Sequence, residues 1–405
     1  MSTTRNDALR ARFEAVMMPT YGTPPIALER GEGCHVFDVD GNRYLDLIAG
    51  IAVSALGHNH PALVRAVAQQ ASRIAHTSNL FLHEPEVELA ERLTALTGGQ
   101  ARVFLASSGT EATEAALKLV KRAVGAGRTY FVSTVNSFHG RSSGALALTG
   151  KDAIREPFGP FGMDVRFAPY GDVAALREAV DDSCAAVFVE PTQGEAGVVT
   201  PPDSYLREVR AVCDATGAAF VLDEIQSGIG RTGHWFAYQA ADATPDVLTL
   251  AKGLGGGLPI GACLGMGRYA TAFAKGDHGS TFGGNPVAAA AALAVLDTIE
   301  SQGLLPHVTE VGTALADGIA AVDHPLLAGS RGAGLWRALA LTSECAADVQ
   351  TVAARHGFLV NAVTPDTIRL APPLTITREQ VGEFTLALPK ILDLAAEDTP
   401  KGPMP

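Results

Sequence analysis

Two short apolar runs in this chain each end on an ionisable residue, and that pairing narrows the folds open to it. Val247-Leu248-Thr249-Leu250-Ala251 runs into Lys252, with the glycine-rich stretch Gly253 to Gly257 and then Leu258-Pro259 behind it. Ala218-Ala219-Phe220-Val221-Leu222 runs into Asp223, followed by Glu224-Ile225-Gln226-Ser227-Gly228. Continuous apolar runs of this length, bounded by breakers, read as strands buried on both faces. Strand and helix patterns alternate from about residue 100 to 265, which predicts a mostly parallel sheet with helical crossovers. In an open sheet of that kind ligands sit outside the carboxyl ends of the strands, where Asp223 and Lys252 both fall.

Each residue also has an ordinary reading. A strand-end lysine can snorkel to water, and a strand-end aspartate is commonly a turn former or helix cap. Together they suit one chemistry better. A lysine in dry surroundings loses pKa and becomes a nucleophilic amine that can join a carbonyl. Pyridoxal phosphate wants a lysine for its aldehyde and an acid against its pyridinium nitrogen. Its phosphate needs an anchor, and Ser107-Ser108-Gly109-Thr110-Glu111-Ala112 turns from the strand Arg102–Ala106 straight into a helix. A helix start rich in glycine and hydroxyls presents free N–H groups to an anion; the ordinary alternative is a serine cap with Glu111 in the first turn. The loop Asn136-Ser137-Phe138-His139-Gly140-Arg141 offers an aromatic ring for stacking and an arginine for a carboxylate, or else a packed phenylalanine on a solvent-facing loop. Another strand over 185–191 ends on Glu190, with Gln193-Gly194-Glu195 just beyond. A dinucleotide fingerprint at Gly253 to Gly257 fails in context, because Leu258-Pro259 follows and no helix is expected to open there.

The chain of 405 residues is long enough for one large core and a smaller lobe. Its net charge of −12, with no basic stripe, argues against nucleic acid as a main partner. Five widely spaced cysteines without a Cys-x-x-Cys suggest free thiols in a reducing compartment. The N-terminus has no apolar core of signal-peptide length, and the apolar run Pro286 to Leu296 is too short for a bilayer. A cytoplasmic protein with no membrane partner is the expectation. His58 and His60 lack a third ligand at metal-site spacing, so no metal is expected. Residues 5–17 have helical spacing and Asp40-Gly41 marks a hairpin turn within 33–46. After about residue 300 helices mix with short strands, including Thr367-Ile368-Arg369-Leu370-Ala371, as in a small α+β lobe. The domains drawn from this are a segment 1–60 packing with the small domain, a large domain 61–298 and a small domain 299–405.

Seven stretches together resemble the class III (ω-amino acid) aminotransferases. They are Ser108-Gly109-Thr110-Glu111-Ala112, Phe138-His139-Gly140-Arg141, Glu190-Pro191-x-Gln193-Gly194-Glu195-x-Gly197, Asp223 to Gly228, Ala251-Lys252-Gly253, Ser280 to Pro286 and Ile368-Arg369-Leu370-Ala371-Pro372-Pro373. Within that class, Ala49 to His58 is most similar to the subfamily acting on acetylornithine, although Thr113 stands where that subfamily usually has Asn. Ser-Gly-Thr-Glu-Ala-Thr also resembles the glutamate-semialdehyde aminomutases. The resemblance implies fold type I, a large domain with a mostly parallel sheet of seven-stranded type and a smaller α+β domain. It implies a covalent link from Lys252 to pyridoxal phosphate, Asp223 at the ring nitrogen, Gln226 at the ring hydroxyl and Phe138 on the ring face. His139 is counted with the cofactor site, and Ser108, Gly109 and Thr110 with the phosphate. Thr281 is implied to reach the phosphate of a neighbouring subunit, hence a homodimer with shared sites. Arg141 and Arg369 are implied to hold carboxylates of an amine donor and of glutamate or 2-oxoglutarate, with Glu195 neutralising Arg369 when only one is needed. Tyr21 is a candidate for the far end of the substrate. The acyl group stays open among acetylornithine, succinylornithine, succinyl-diaminopimelate and free ornithine. 4-Aminobutyrate, an aminomutase reaction and a binding protein that keeps only the fold are the further alternatives.

Overall fold

The computed structural model describes residues 4–398. Its main sheet has seven strands: β1 (Arg102–Ala106), β2 (Tyr130–Thr134), β3 (Asp164–Ala168), β4 (Cys184–Val189), β5 (Ala219–Asp223), β6 (Val247–Leu250) and β7 (Gly261–Gly265). They lie in the order β1-β7-β6-β5-β4-β2-β3. Every residue of β4, β5, β6 and β7 is buried, as expected of strands covered on both faces. Each fully buried leucine or valine here, such as Leu222 or Leu248, contributes roughly 2 kcal/mol of burial free energy.

All neighbouring pairs are parallel except those of β7, which runs antiparallel to both β1 and β6. The cause is the length of the connection. Only Ala251 to Ile260 separate β6 from β7, and a parallel crossover needs a dozen residues or more. The register across β5 and β6 sets Asp223 beside Thr249. The chain then leaves β6 next to the end of β5, which brings Lys252 to the aspartate's side of the crevice.

Helix Gly109–Val124 follows β1 and lies against β6 and β7. Its buried residues are Ala112, Thr113, Ala115, Ala116, Leu117, Leu119 and Val120, and the three alanines allow close approach to the sheet. On the other side, the alanine-rich helix Pro286–Ser301 packs against helices Pro61–Arg73 and Glu84–Leu96. Asn285 Oδ1 caps it by accepting the Ala288 amide at 3.0 Å, and Pro286 occupies its first turn. Strands Leu28–Glu32, His35–Asp38 and Arg43–Asp46 form a small sheet whose fourth strand is Phe358–Leu359, far along the chain. Hydrogen bonds from Leu47 N to Leu359 O and from Ala371 N to Leu47 O tie the early segment to the late one. A third sheet, antiparallel throughout, orders Leu327–Ala333, Trp336–Leu341, Thr367–Leu370 and Asn361–Thr364. Helices Leu304–Ala320, Ala346–Arg355 and Arg378–Asp398 accompany it.

Three features depart from what the sequence pattern predicts. Helix Glu84–Leu96 buries fully only Leu89 and Leu93, too few to stand out as an apolar face. Strand Leu327–Ala333 reads LAGSRGA, with two glycines breaking any alternation. Lys252–Gly255 makes one turn of 3-10 helix, where no helical turn was expected. Among the described residues no single helix is long and apolar enough to cross a membrane.

Candidate active site

A cavity of about 490 Å³ opens at the carboxyl edge of the main sheet. Each wall is the segment leaving one strand. Ser107 to Thr110 follow β1, Phe138 to Arg141 follow β2, Glu190 follows β4, Asp223 and Gln226 close β5, and Lys252 follows β6. Val53 and the segment Gly257 to Ile260 complete it.

Lys252 takes φ +43°, the left-handed region. A non-glycine residue there costs about 1–2 kcal/mol and persists only where its surroundings fix it. Its ammonium is buried. Burial lowers its pKa from 10.5 to about 8, with the cation Arg369 adding to the fall and the carboxylates of Glu195, Asp223 and Glu190 opposing it. The amine is therefore partly neutral near physiological pH, a state an exposed lysine does not reach. Gln226, with its amide oxygen turned inward, accepts from Lys252 Nζ and from Arg369, each at 3.3 Å. Gly194 makes room for that amide, since a Cβ there would lie 1.8 Å from it.

Asp223 is held on two sides. One carboxylate oxygen accepts the Ile225 amide at 3.0 Å. The other lies 2.7 Å from His139 Nδ1, and both side chains are buried. Burial disfavours the imidazolium, but the hydrogen bond and charge of Asp223, with Glu190 behind, raise the His139 pKa on balance. His139 Nε2 is buried without a partner. Glu190 accepts the Phe138 amide at 3.1 Å. Burial pushes its carboxyl up to about 8, the charge of Asp223 adding to the rise and that of His139 opposing it.

At the cavity's other end sits the N-terminus of helix Gly109–Val124. Ser108 is the cap, its hydroxyl accepting the Glu111 amide at 3.3 Å, while Glu111 accepts the Ser107 amide at 2.8 Å. The ordinary cap does not exclude an anion site, because it uses one orphan amide and leaves others in the first turn open. Thr110 Oγ1 lies 2.7 Å from Ser142 Oγ, which donates to Glu114 at 2.6 Å. Gly140, at φ +136°, passes so near that a Cβ would meet Thr110 Oγ1 at 2.4 Å.

The charged groups around the crevice come from distant parts of the chain. Arg369 is 2% exposed and pairs with Glu195 at 2.5 Å. Asn361 Oδ1 accepts from Arg369 Nη2 at 2.8 Å and from Nε at 3.2 Å. Burial resists ionisation of Glu195, but Arg369 overrides it and holds the carboxyl below its usual range. Arg141 is exposed at the cavity, 5.7 Å over the Phe138 ring.

Most of the sequence-predicted site residues thus converge. Thr281, Tyr21 and Arg369 do not line the cavity: Tyr21 is 79% exposed, and Arg369 reaches it through Glu195, which does line it. His58 Nε2 lies 2.8 Å from Asp46, and no group of three or more metal-ligating side chains forms among the described residues. Glu190, Asn361 and Lys151, whose ammonium reaches the Glu195 carbonyl, were not singled out for the site. Glu190 carries the same strand-end signal that marked Asp223 and Lys252, whereas Asn361 and Lys151 carry none.

These residues fit pyridoxal phosphate on the geometry alone. The amine, the buried carboxylate, the partly buried Phe138 and the open helix N-terminus line one cavity, and they are the kinds of group that an aldehyde, a ring nitrogen, a ring face and a phosphate would need. Residues 16–392 match the model of the family described as aminotransferase class-III. The chain is 54% identical over 396 residues to the acetylornithine aminotransferase of Mycobacterium tuberculosis (strain H37Rv), covering 97% of this chain and 98% of that one. Its structure resembles the ornithine aminotransferase of Toxoplasma gondii ME49, with a TM-score of 0.93, 30% identity, and 98% and 97% of the two chains covered. It also resembles a PLP-bound amine transaminase from an uncultivated Pseudomonas species, with a TM-score of 0.85, 31% identity, and 94% and 97% covered. With nearly the whole length matched and the lysine–aspartate pair in place, the chain belongs to the class-III aminotransferases and is a pyridoxal-phosphate-dependent enzyme.

Proposed function

We propose that this enzyme moves the terminal amino group of N-acetylornithine to 2-oxoglutarate, giving N-acetylglutamate semialdehyde and glutamate, a step of arginine biosynthesis. The observation that carries the reading is the buried Arg369 held behind Glu195, which lines the cavity together with Arg141. Such a site can show one free arginine or two. Acetylornithine, presenting its terminal amine, needs only Arg141 for its α-carboxylate. Glutamate presents its α-amine and has two carboxylates to place, so Arg369 must be released. The relatives named acetylornithine aminotransferase at about half identity support the choice of substrate.

When bound, pyridoxal phosphate supplies an aldehyde for amino exchange and a ring that takes up the electron pair left as a proton departs from substrate carbon. The chain's own residues do the rest. Lys252, partly neutral, can take a proton from substrate carbon at Nζ and give it back. Asp223, held by His139 and the Ile225 amide, would stand against the ring nitrogen. Gln226 positions the Lys252 amine, Phe138 would offer a ring face, and the amides of Gly109 and Thr110 would hold the phosphate. Pro259 and Ile260 help exclude water.

A homodimer with shared sites belongs to this reading. Leu80, Phe81, Leu82 and Phe282 are 84%, 68%, 91% and 61% exposed. The segments that carry them lie together, with the His76 ring tilted against Phe282 at 5.1 Å and Asn79 bonded to Ser280 and Gly283 carbonyls. An apolar patch of this kind marks an interface, and a second copy covering it would take Thr281 toward the partner's phosphate end. Five buried free cysteines agree with a cytoplasmic setting.

The test is a coupled assay of the pure protein with acetylornithine, succinylornithine, succinyl-diaminopimelate, ornithine and 4-aminobutyrate, each with 2-oxoglutarate. Acetylornithine should give the highest kcat/KM. A higher value for free ornithine or 4-aminobutyrate would reject the substrate, and turnover without an oxo acid would favour the aminomutase.

A further inference from the structure

Lys151 has no part in the chemistry described so far. It precedes the short helix Asp152–Arg155, is half-buried, and donates from Nζ to the backbone carbonyl of Glu195 at 2.6 Å. An ammonium has three donors; this one forms no ion pair among the described residues, although Glu195 and Glu190 on one side and Arg369 and Arg141 on the other all act on it electrostatically. Burial lowers its pKa, with the two carboxylates opposing and the two arginines adding to the fall. It is a half-buried cation with ammonium donors left over once the Glu195 carbonyl is bonded.

The two members of the Glu195–Arg369 pair are not equally free. Arg369 is 2% exposed and is gripped twice by Asn361, whereas the Glu195 side chain is 27% exposed. When a substrate carboxylate takes Arg369, Glu195 is therefore the partner that moves. A carboxylate released beside Glu190 and Asp223 is disfavoured unless a cation receives it. The other nearby cations have tasks at the site: Lys252 carries the reactive amine, and Arg141 faces the substrate. Lys151 is already hydrogen-bonded to the main chain of Glu195 itself, so the displaced side chain needs only to turn about its own bonds.

We propose that Lys151 is the positioning residue that receives the Glu195 carboxylate when Arg369 binds the second carboxylate of glutamate or 2-oxoglutarate, so that it sets how readily the site accepts its dicarboxylate substrate. This rests on the Arg369–Glu195 exchange proposed above. Lys151 touches no reacting atom, and its effect is felt through Glu195 on one half of the reaction.

The test uses the holoenzyme and follows each half-reaction by single-turnover absorbance, with acetylornithine for one half and glutamate for the other. In Lys151→Met the glutamate half should lose roughly tenfold through KM, with its limiting rate nearly unchanged, as for a lost charge-assisted bond. The acetylornithine half should stay within about twofold, which also certifies that the variant is folded. Lys151→Arg should restore most of the loss. Equal damage to both halves, no damage to either, or no rescue by arginine would overturn the assignment. Arg369→Gln, measured alongside, separates the two ideas. If it damages the glutamate half selectively while Lys151→Met does not, the exchange stands and Lys151 has no part in it. If Arg369→Gln damages both halves equally, the exchange itself is wrong and the assignment falls with it.

Discussion

Replacing Lys252 by methionine should make the cofactor-free protein more stable, and only over part of the pH range. Methionine fills similar space without the charge. In the native state burial brings the Lys252 pKa from 10.5 down to about 8. Between those values the unfolded chain holds the proton and the native chain does not, so the stability of the parent rises with pH across that window. Below about pH 8 the native parent carries an ammonium in a dry site, and the displacement corresponds to about 3 kcal/mol. The variant is free of that penalty at pH 7 and loses its advantage as pH climbs toward 10.5. Gln226 offsets little of the gain, because its oxygen keeps Arg369 as a donor at 3.3 Å. The assay is urea unfolding of the cofactor-free protein at pH 7 and pH 10, at one protein concentration because association adds to stability. A variant no more stable than the parent at pH 7 would refute the reasoning. So would a gain of the same size at both pH values, since it would owe nothing to the proton.

Glu190→Gln tests the opposite sign. Burial raises this carboxyl from 4.5 to about 8, so the parent loses stability as pH rises from 4.5 to 8; the glutamine variant should match it near pH 5 and exceed it at pH 9 in the same unfolding assay. His139→Asn removes the 2.7 Å bond to Asp223 and frees that carboxylate to turn; pyridoxal phosphate affinity should fall roughly tenfold by equilibrium dialysis, as for a lost charged hydrogen bond. Leu82→Glu places a charge on a side chain that is 91% exposed in the single chain; the reading proposed above expects sedimentation to report a dimer for the parent and a monomer for this variant, and an unchanged dimer would remove the apolar patch from the interface.

The strand-end residues were legible because both halves of their signal are local. A continuous apolar run states burial on two faces, and the ionisable residue after it states which edge matters. Nothing further along the chain was needed to place Lys252 and Asp223 at one cavity, and the short β6–β7 connection forces the one antiparallel strand by length alone. The same rule applies to Glu190 and was simply not carried through at that position. Helix Glu84–Leu96 and strand Leu327–Ala333 escaped for the opposite reason: the helix buries two side chains fully and the strand is broken by glycines, so the local pattern on which the reading depends is missing.

The substrate side of the cavity obeys different physics, and that decides what a sequence can say about it. Arg369 meets Glu195 across 174 positions of chain, and Lys151 reaches Glu195 across 44. The strand pattern marks Arg369 as able to face a cleft and Glu195 as lying just past a strand end, but only the resemblance pairs them, and nothing marks Lys151. What fixes Arg369 is register. Its strand pairs with Asn361–Thr364 so that Asn361 stands directly opposite, and an amide oxygen at that position can take two guanidinium donors at once. A shift of one residue would turn Arg369 to the other face of the small sheet and dissolve the pair with Glu195. The Lys252–Asp223 end of the cavity is therefore written in the composition of individual strands, while the proposed Arg369–Glu195 switch depends on the alignment of strands in a separate sheet. Changes at Asn361 should for that reason alter the preference between the two half-reactions before they alter the chemistry at Lys252.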